Sequence, residues 1–381
     1  MDAVSQVAQR RKALWLDAEA GDFEAFRACL AEAAVQNHWP LATTIERTVP
    51  IYDGDVVRSA APDRDARRDL MAEWANVLAD GAGIIVIKNG VSDIDAIDRA
   101  TAVFEDIITR EKAGGRDAGD HFAKPGSNDR IWNALEKHAL EDPESFARYY
   151  ASDAIAMASE AWLGRGYQLT AQVNRVNPGG TAQTPHRDYH LGFMAPEAMT
   201  HYPAHIHRIS PVLTLQGAVA HCDMPLASGP TLFLPGSQRF FEGYIAFARA
   251  PFQDHFAKHH VQLALEKGDT VFFNPAVMHG AGANVSDDIF RMANLLQVSS
   301  AFGRAMESVN RTRMACALYP VLLAAADAGH MGKTALANVI AASAEGYPFP
   351  TNLDKDVPIT GLVPQTEAEY LHEALAARRP A

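Results

Sequence analysis

Short runs of β-branched and aromatic residues recur through the middle of the chain. The first run, GAGIIVIKNG (81–90), stands between glycines and predicts a buried strand. From Gln168 onward, clusters of Gly, Pro, Asn and Ser separate the runs YQLTAQVNRV, VLTLQGAVAHC, TLFLPGS, GDTVFFN and RMANLLQVSS. Short strands bounded by turn residues are typical of an antiparallel β-sandwich or barrel. The pattern therefore predicts a mainly β core with flanking helices.

Helical periodicity appears on both sides of this core. Apolar positions recur at helical spacing in residues 4–38, 65–78, 92–110, 143–163 and 306–344. Ser92, with Asp95 three positions further on, predicts an N-cap for the third of these regions. Between the first two regions, Pro40, Pro50 and Pro62 predict an irregular stretch of chain.

These elements divide the chain into three predicted parts. Residues 1–65 form an N-terminal helical extension, and residues 66–305 form a central domain with the β core and its flanking helices. Residues 306–381 form a C-terminal helical extension and tail that pack on the same domain. A chain of this length can bury one large core. Three roles stay open for the extensions, namely a lid, a homodimer surface or support.

Composition narrows the class of protein. The 381 residues carry a formal net charge of −12, which argues against nucleic-acid binding because such proteins present a basic face. Cys29, Cys222 and Cys316 are odd in number and far apart, so neither a disulfide framework nor a cysteine zinc site is expected. The chain start lacks the apolar segment of a signal peptide, and no uncharged run has membrane-spanning length. We expect a cytoplasmic enzyme that does not act at membranes.

The segment TPHRDYH carries the strongest candidate chemistry. If this segment is extended, alternate side chains share one face, so that His186 and Asp188 point the same way. His279, which follows the run GDTVFFN, is the candidate third ligand from a distant strand. Two imidazoles and one carboxylate on one face make the facial triad of non-haem iron(II) sites, which leaves the other octahedral positions open. The pattern predicts a metal site at these three residues.

A His-X-Asp (HxD) triplet alone occurs by chance in many chains. The other histidines must therefore be considered as alternative metal ligands. The chain has 15 histidines. His205 and His207 have the same spacing, but the neighbouring Arg208 and flanking prolines favour a loop over a barrel strand. The adjacent His259 and His260 cannot share a strand face. We interpret most of the remaining histidines as surface residues or as residues around the metal site.

Two further segments suit the binding of a small acid. Arg291 begins the run RMANLLQVSS and follows His279 by twelve positions. A guanidinium can hold a carboxylate through two parallel hydrogen bonds, although an ordinary surface arginine is the alternative interpretation. The segment SGPTLFLPGSQ (228–238) places Thr231 after a Gly-Pro turn, where its hydroxyl can contact the same acid.

Taken in order, these motifs resemble the phytanoyl-CoA dioxygenase (PhyH-like) family. The resemblance runs from about residue 70 to residue 303 and includes GAGIIVIKNGVSDIDAI, the HxD triplet, SGPTLFLPGSQ and GDTVFFNPAVMHGAGAN. It implies a double-stranded β-helix, the jelly roll of cupin-like proteins, as the core. It also implies iron(II), with 2-oxoglutarate and dioxygen as co-substrates. His186, Asp188 and His279 would then be the metal ligands and catalytic residues, and Arg291 would hold the distal carboxylate of 2-oxoglutarate.

The resemblance also implies roles for polar residues around the metal. For 2-oxoglutarate, contacts are expected from Thr231 and from the strand before HxD, at Gln172 and Asn174. For the substrate, contacts are expected from a segment before the barrel and from a residue two positions past Asp188, namely His121, Lys124, Arg130, Trp132 and His190. Lys124 and Arg130 are candidates for a co-substrate contact as well.

The predicted function is an iron(II)- and 2-oxoglutarate-dependent dioxygenase. It would hydroxylate a C–H bond of a small-molecule metabolite and release succinate and carbon dioxide. Asp188 favours hydroxylation or another oxidation over halogenation, because related halogenases lack this carboxylate and use the open position for halide. Two alternatives stay open, a metal-dependent cupin-like isomerase or hydrolase that does not consume 2-oxoglutarate, and a binding protein without catalysis. Arg291 and the complete triad argue against both, and the substrate itself stays open.

Overall fold

The computed structural model of this chain describes residues 3–35, 38–114, 126–358 and 361–381. Within these residues the strands are β1 (Thr44–Glu46), β2 (Val49–Asp53), β3 (Ile84–Lys88), β4 (Asn128–Ile131), β5 (Gln168–Val176), β6 (Thr214–Ala220), β7 (Leu232–Leu234), β8 (Val261–Gln262), β9 (Thr270–Phe273), β10 (Met278–Gly280) and β11 (Arg291–Ser299). The α-helices are α1 (Ala3–Leu14), α2 (Phe23–Val35), α3 (Gly54–Ala60), α4 (Arg64–Ala79), α5 (Ile94–Ala113), α6 (Ala134–Glu141), α7 (Pro143–Tyr150), α8 (Asp153–Leu163), α9 (Pro196–Met199), α10 (Ala204–Ile209), α11 (Gly243–Ala246), α12 (Ala250–His259), α13 (Arg311–Asp327), α14 (Lys333–Ser343) and α15 (Glu367–Ala376). Across these ranges, no helix has the length and apolar character that crossing a membrane requires.

The strands form two sheets that close into a double-stranded β-helix. The larger sheet has the order β1-β2-β3-β9-β6-β11-β5-β4, and the smaller sheet has the order β10-β7-β8. From β5 to β11 the chain passes back and forth between the two sheets. A backbone bridge between His186 and His279 adds the HxD segment to the smaller sheet, beside β10. The predicted jelly-roll core is confirmed.

An apolar cluster fills part of the space between the two sheets. Phe233 of β7 contacts Phe273 of β9, with ring centroids 5.0 Å apart at a steep angle. Val86, Val271 and Val277 belong to the same buried cluster. Polar side chains of β5, β6 and β11 line another part of the interior.

The stretch around the first three prolines is more regular than predicted. Residues 49–53 form β2, which pairs in parallel with β3 and places Ile51 opposite Val86. Val49 and Ile51 are buried in the cluster between the sheets. The expectation of an irregular chain is therefore wrong here. Pro50 suggested a loop, but this strand forms because it pairs with the distant β3 and buries its apolar side chains.

Helices cover the outer face of the larger sheet. Helices α4, α5, α7, α8, α13 and α14 share one large apolar cluster with that face, in which Trp74, Phe104 and Phe146 are fully buried. Helix α13 also contacts α6, and α14 contacts β5. At the other end of the chain, Phe26 of α2 packs against Phe240 and Phe252, with ring centroids 5.3 and 5.0 Å away. The three-part division of the chain stays a prediction.

Three helical regions differ from the predicted ones: the start of α5, the region 143–163, and the region 306–344, which forms the two helices α13 and α14. Asp93, rather than Ser92, is the N-cap of α5, because its carboxylate accepts a hydrogen bond from the Ala96 N–H at 3.0 Å. The predicted helix over 143–163 is two helices. Its second half begins after Ser152, which caps α8.

Candidate metal centre

Backbone pairing brings the HxD segment and β10 together. The His186 N–H donates to the His279 carbonyl at 2.9 Å, and the His279 N–H donates back at 3.0 Å. Two residues further on, the Asp188 N–H donates to the Pro275 carbonyl at 3.1 Å. The segment therefore stays extended as far as Asp188, and alternation directs both predicted ligands to the side of His279. One ligand atom from each of the three side chains lies within 4.8 Å of the others.

The two imidazoles present the nitrogen that a metal needs. His279 Nε2 lies 3.4 Å from Asp188 Oδ2, and His186 Nε2 lies 3.5 Å from Asp188 Oδ1. On the far side of each ring, Nδ1 lies 2.8 Å from the Thr184 carbonyl in His186 and 2.9 Å from the Val277 carbonyl in His279. A carbonyl only accepts, so each Nδ1 carries the proton and each Nε2 keeps its lone pair toward the centre. This second contact is the usual way to orient a metal-binding histidine.

Electrostatics favour a neutral imidazole beside an ionised carboxylate. Burial lowers the pKa of His186, and the neighbouring His279 lowers it further. Burial alone raises the pKa of the Asp188 carboxyl, but the adjacent imidazoles and a hydrogen bond from Gln216 lower that pKa well below its usual range. Gln216 Nε2 donates directly to Asp188 Oδ2. The donor set of two nitrogens and one carboxylate oxygen, each oriented by a second contact, fits a divalent iron ion.

Arg291 lines the same cavity as the triad. The cavity has a volume of about 110 Å³, and Thr231 also lines it. Arg291 is 6% exposed, and its Nη1 donates to the Ser228 carbonyl at 3.2 Å. Among the described residues, no carboxylate pairs with Arg291. Burial lowers the pKa of its guanidinium to about 10, so the group stays charged near neutral pH. Because this buried cation has only a carbonyl as its hydrogen-bond partner, it can bind the carboxylate of a ligand.

The remaining predicted residues of β4 and β5 lie at this cavity or next to it. Asn174 and Arg130 line the cavity. Gln172 connects the lining residues, because its Oε1 accepts from Arg130 Nη2 at 2.8 Å and its Nε2 donates to Gln297 Oε1 at 3.4 Å. The ring of Trp132 lies 5.0 Å from the Arg130 guanidinium and is 37% exposed. The sheet register thus brings most of the predicted polar residues to one side of the triad.

A sequence model of the family described as "Phytanoyl-CoA dioxygenase (PhyH)" matches residues 71–293, more than half of this chain. The chain belongs to this family. The phytanoyl-CoA dioxygenase family uses iron(II) and 2-oxoglutarate, which are the cofactor and co-substrate that the motifs predict. The family membership that the sequence predicts is therefore confirmed.

Individual relatives are similar over part of their length. The chain is 29% identical over 224 residues to "Phytanoyl-CoA dioxygenase, peroxisomal" of Rattus norvegicus, which covers 53% of this chain and 61% of the rat protein. It is 30% identical over 134 residues to "Dioxygenase FrzG" of Cladobotryum sp, covering 33% and 39% of the two chains. The chain thus spans less than two thirds of these curated relatives. Among solved structures, the non-heme alpha ketoglutarate dependent carbocyclase SnoK from nogalamycin biosynthesis is 18% identical, with a TM-score of 0.45 over 68% of this chain and 92% of SnoK.

One predicted substrate contact, His190, is not at the cavity. His190 does not share the face of Asp188, because φ values of +60° at Tyr189 and +37° at His190 end the extended segment. Its Nδ1 lies instead 3.3 Å from Ser210 Oγ, and the residue is absent from the cavity wall. That expectation is wrong, since strand alternation held only as far as Asp188. His121 and Lys124 lie outside the described residues.

The competing histidines stay apart from the triad. His205 and His207 belong to the short helix α10, not to the predicted loop. His207 is buried, with Nε2 3.1 Å from the Met199 carbonyl, whereas His205 is exposed. Within the described part of the chain, His186, Asp188 and His279 form the one group of three metal-binding side chains that meets the distance requirement.

The structure adds two glutamines that the sequence analysis overlooked. Gln216 of β6 and Gln297 of β11 are opposite one another in the sheet and line the cavity. Gln297 could have been found from its even spacing along β11 from Arg291, which predicts the same inward face. No local signal marks Gln216, because its importance comes from its contact with Asp188.

Proposed function

We propose that this protein is an iron(II)- and 2-oxoglutarate-dependent dioxygenase that hydroxylates a C–H bond of a small molecule. One observation carries the proposal: the His186, Asp188 and His279 triad and the buried Arg291 line a single cavity. A metal-binding triad occurs in many enzyme classes. A buried guanidinium facing the same space adds the requirement for an acidic co-substrate.

His186, Asp188 and His279 would hold the iron, and Gln216 would fix the orientation of the Asp188 carboxylate. When bound, iron(II) with 2-oxoglutarate and dioxygen supplies the oxidation, in which a substrate C–H bond becomes C–OH and 2-oxoglutarate becomes succinate and carbon dioxide. The chain's own task is to place the reacting groups and to exclude competing reactions. The neutral imidazoles and the ionised carboxylate together carry one negative charge, which suits a divalent cation.

Arg291 would bind the distal carboxylate of 2-oxoglutarate, and the Thr231 hydroxyl would donate to the same group. Small side chains separate Arg291 from the triad, since Ala293 of β11 is paired with Ala220 of β6 and both line the cavity. These alanines leave room for a slender dicarboxylate that extends along the two strands. The guanidinium is buried, so its hydrogen bonds to a carboxylate are stronger than they would be in water.

Arg130, Gln172 and Gln297 would form the polar wall that faces the substrate. They are joined by hydrogen bonds across β4, β5 and β11, so their positions are fixed before a ligand binds. A cupin-like isomerase or hydrolase would have no need for the Arg291 guanidinium, and a binding protein would have no need for a metal triad. Neither alternative accounts for both features in one cavity.

An anaerobic titration tests the proposal. Adding iron(II) and then 2-oxoglutarate to the purified protein should produce a weak visible charge-transfer band, and exposure to air should release succinate. The His279→Ala variant serves as the control and should show neither signal. If the wild-type protein binds iron but gives no band and no succinate, a metal-dependent isomerase or hydrolase becomes the better assignment. If it binds no iron, the binding-protein alternative is favoured.

A further inference from the structure

A second cavity lies behind the HxD segment, on the side away from the triad. It has a volume of about 470 Å³, and three arginines line it together with polar and aromatic side chains. Arg187 reaches it from between the two proposed ligands of the HxD segment, since alternation turns this side chain opposite to theirs. Arg208 reaches it from α10, and Arg239 reaches it from the turn after β7. We call this space the arginine cavity.

Arg187 forms the buried wall of the arginine cavity. It is 1% exposed, its Nη1 donates to the Phe240 carbonyl at 3.1 Å, and its Nη2 donates to the Ser237 carbonyl. In the described part of the chain, no carboxylate pairs with Arg187, and its Nε has no hydrogen-bond partner. A buried cation without an ion-pair partner is costly, and a bound anion would offset part of this cost.

The other two guanidiniums lie nearer the surface. Arg208 is exposed and lies 4.4 Å from the ring centroid of Phe241, which holds it in place at the cavity wall. Arg239 Nη1 is buried and, among the described residues, has no hydrogen-bond partner. Its Nη2 lies 3.6 Å from Glu32, whose side chain is 72% exposed, so that ion pair is weak. Both guanidiniums therefore keep donors for a ligand.

Acidic groups around the cavity offset only part of this charge. Among the described residues that line the arginine cavity, Asp80 is the one acidic residue, and it is exposed. Glu242 lies near Arg187 and Arg208 without lining the cavity, and burial raises the pKa of its carboxyl. Three guanidiniums therefore face one exposed carboxylate. The local field favours an anion, and because the wall is partly buried this preference is screened less than at an open surface.

We propose that the arginine cavity binds the phosphate group of a small molecule. Arg208 and Arg239, on separate elements, can each donate to a different oxygen of a tetrahedral dianion, and the buried Arg187 adds positive charge behind them. A planar monocarboxylate presents two oxygens to one guanidinium. The site is separate from the metal cavity, and this inference does not depend on the proposed dioxygenase function. Its occupant lies next to the segment that carries two of the proposed metal ligands.

Calorimetric titration with inorganic pyrophosphate tests the site, with acetate as the monocarboxylate comparison. The wild-type protein should bind pyrophosphate and bind acetate much more weakly. Arg208→Gln and Arg239→Gln should each weaken pyrophosphate binding by about tenfold or more, the loss expected from one charge-assisted hydrogen bond. Arg165→Gln is the matched control, because Arg165 is 93% exposed and lies outside the cavity, and it should bind as the wild type does.

A second comparison separates this site from the metal cavity, where Arg291 could also attract an anion. Arg291→Gln should leave pyrophosphate binding unchanged if the arginine cavity is the site. Circular dichroism and thermal unfolding confirm that each variant is folded, and the two single variants at exposed or half-buried positions avoid disturbing Arg187. The proposal is overturned if the wild type does not bind pyrophosphate. It is also overturned if Arg208→Gln and Arg239→Gln bind normally, or if only Arg291→Gln loses binding.

Discussion

His186 and His279 are joined by two reciprocal backbone hydrogen bonds, of 2.9 and 3.0 Å, although they lie far apart in the sequence. This isolated bridge aligns two imidazoles on one face, with ring centroids 4.6 Å apart. The spacing of two proposed ligands is thus set by the main chain, and each ring is then oriented by a carbonyl of its own segment. Side-chain substitutions can therefore remove a ligand without dismantling the bridge.

Replacing His279 by alanine tests the triad directly. His279→Ala should raise the iron(II) dissociation constant by more than about 100-fold, because loss of a ligand exceeds the usual cost of losing one of its supporting contacts. Anaerobic iron titration measures the change. His190→Ala is the matched histidine control, since His190 does not line the cavity, and it should keep wild-type affinity. Equal affinity in wild type and His279→Ala would remove this residue from the metal site.

Replacing Arg291 should weaken the binding of 2-oxoglutarate without changing the affinity for iron. Arg291→Gln should raise the KM for 2-oxoglutarate by about 100-fold, because a buried charge-paired contact is worth several kcal/mol. Its iron affinity should stay near the wild-type value. Succinate release measured against 2-oxoglutarate concentration gives the KM, and Arg165→Gln controls for loss of an arginine elsewhere. An unchanged KM in Arg291→Gln would show that another residue holds the distal carboxylate.

Gln216 should strengthen iron binding through its hydrogen bond to Asp188. Gln216→Ala removes the hydrogen bond to Asp188 Oδ2 and should weaken iron binding by about 10- to 100-fold. Gln297→Ala provides the matched control, because it removes the same kind of amide from the paired position on β11 and has no contact with Asp188 in the hydrogen bonds of the described residues. The two variants are compared by the same iron titration. If both lose affinity equally, the effect comes from the cavity wall in general and not from this contact.

Two buried histidines away from the metal should make the fold sensitive to acid. Burial lowers the pKa of both His138 and His221 to about 3, against about 6.5 for an unfolded histidine. The unfolded chain therefore binds more protons as the pH falls below 6.5. The free energy of unfolding should decrease from there toward pH 3, by up to about 1.4 kcal/mol per pH unit for each histidine.

Urea unfolding at pH 7.5 and pH 5 measures this dependence. The two histidines together should cost the wild type about 4 kcal/mol of unfolding free energy between the two conditions. His221→Gln should lose about half as much, although it starts from a lower stability because it disturbs the contacts of His221 with Thr101 and Tyr149, at 2.8 and 2.9 Å. His330→Gln, at an exposed position, should behave as the wild type does. A slope in His221→Gln as steep as in the wild type would contradict the prediction.

Local patterns were sufficient for much of the fold. Turn residues and β-branched runs located β5, β6, β9 and β11 because a strand's periodicity is a property of its own segment. The same argument failed where distant contacts decide. Residues 49–53 form a strand through pairing with β3, and the chain turns at Tyr189 despite the alternation that precedes it. No pattern in the neighbouring sequence predicts either this strand or this turn.

By itself, the sequence determined which kinds of side chain form the candidate site and which protein family their motifs indicate. It placed His186 and Asp188 on one face, since in an extended chain side chains alternate whatever the surroundings. Only the tertiary structure decided that Gln216 contacts Asp188, that His190 turns away and that Arg187 joins two other arginines around a second cavity. Those relationships depend on strand register and loop packing between residues far apart in the chain, where the free energy of many distant contacts outweighs local preference.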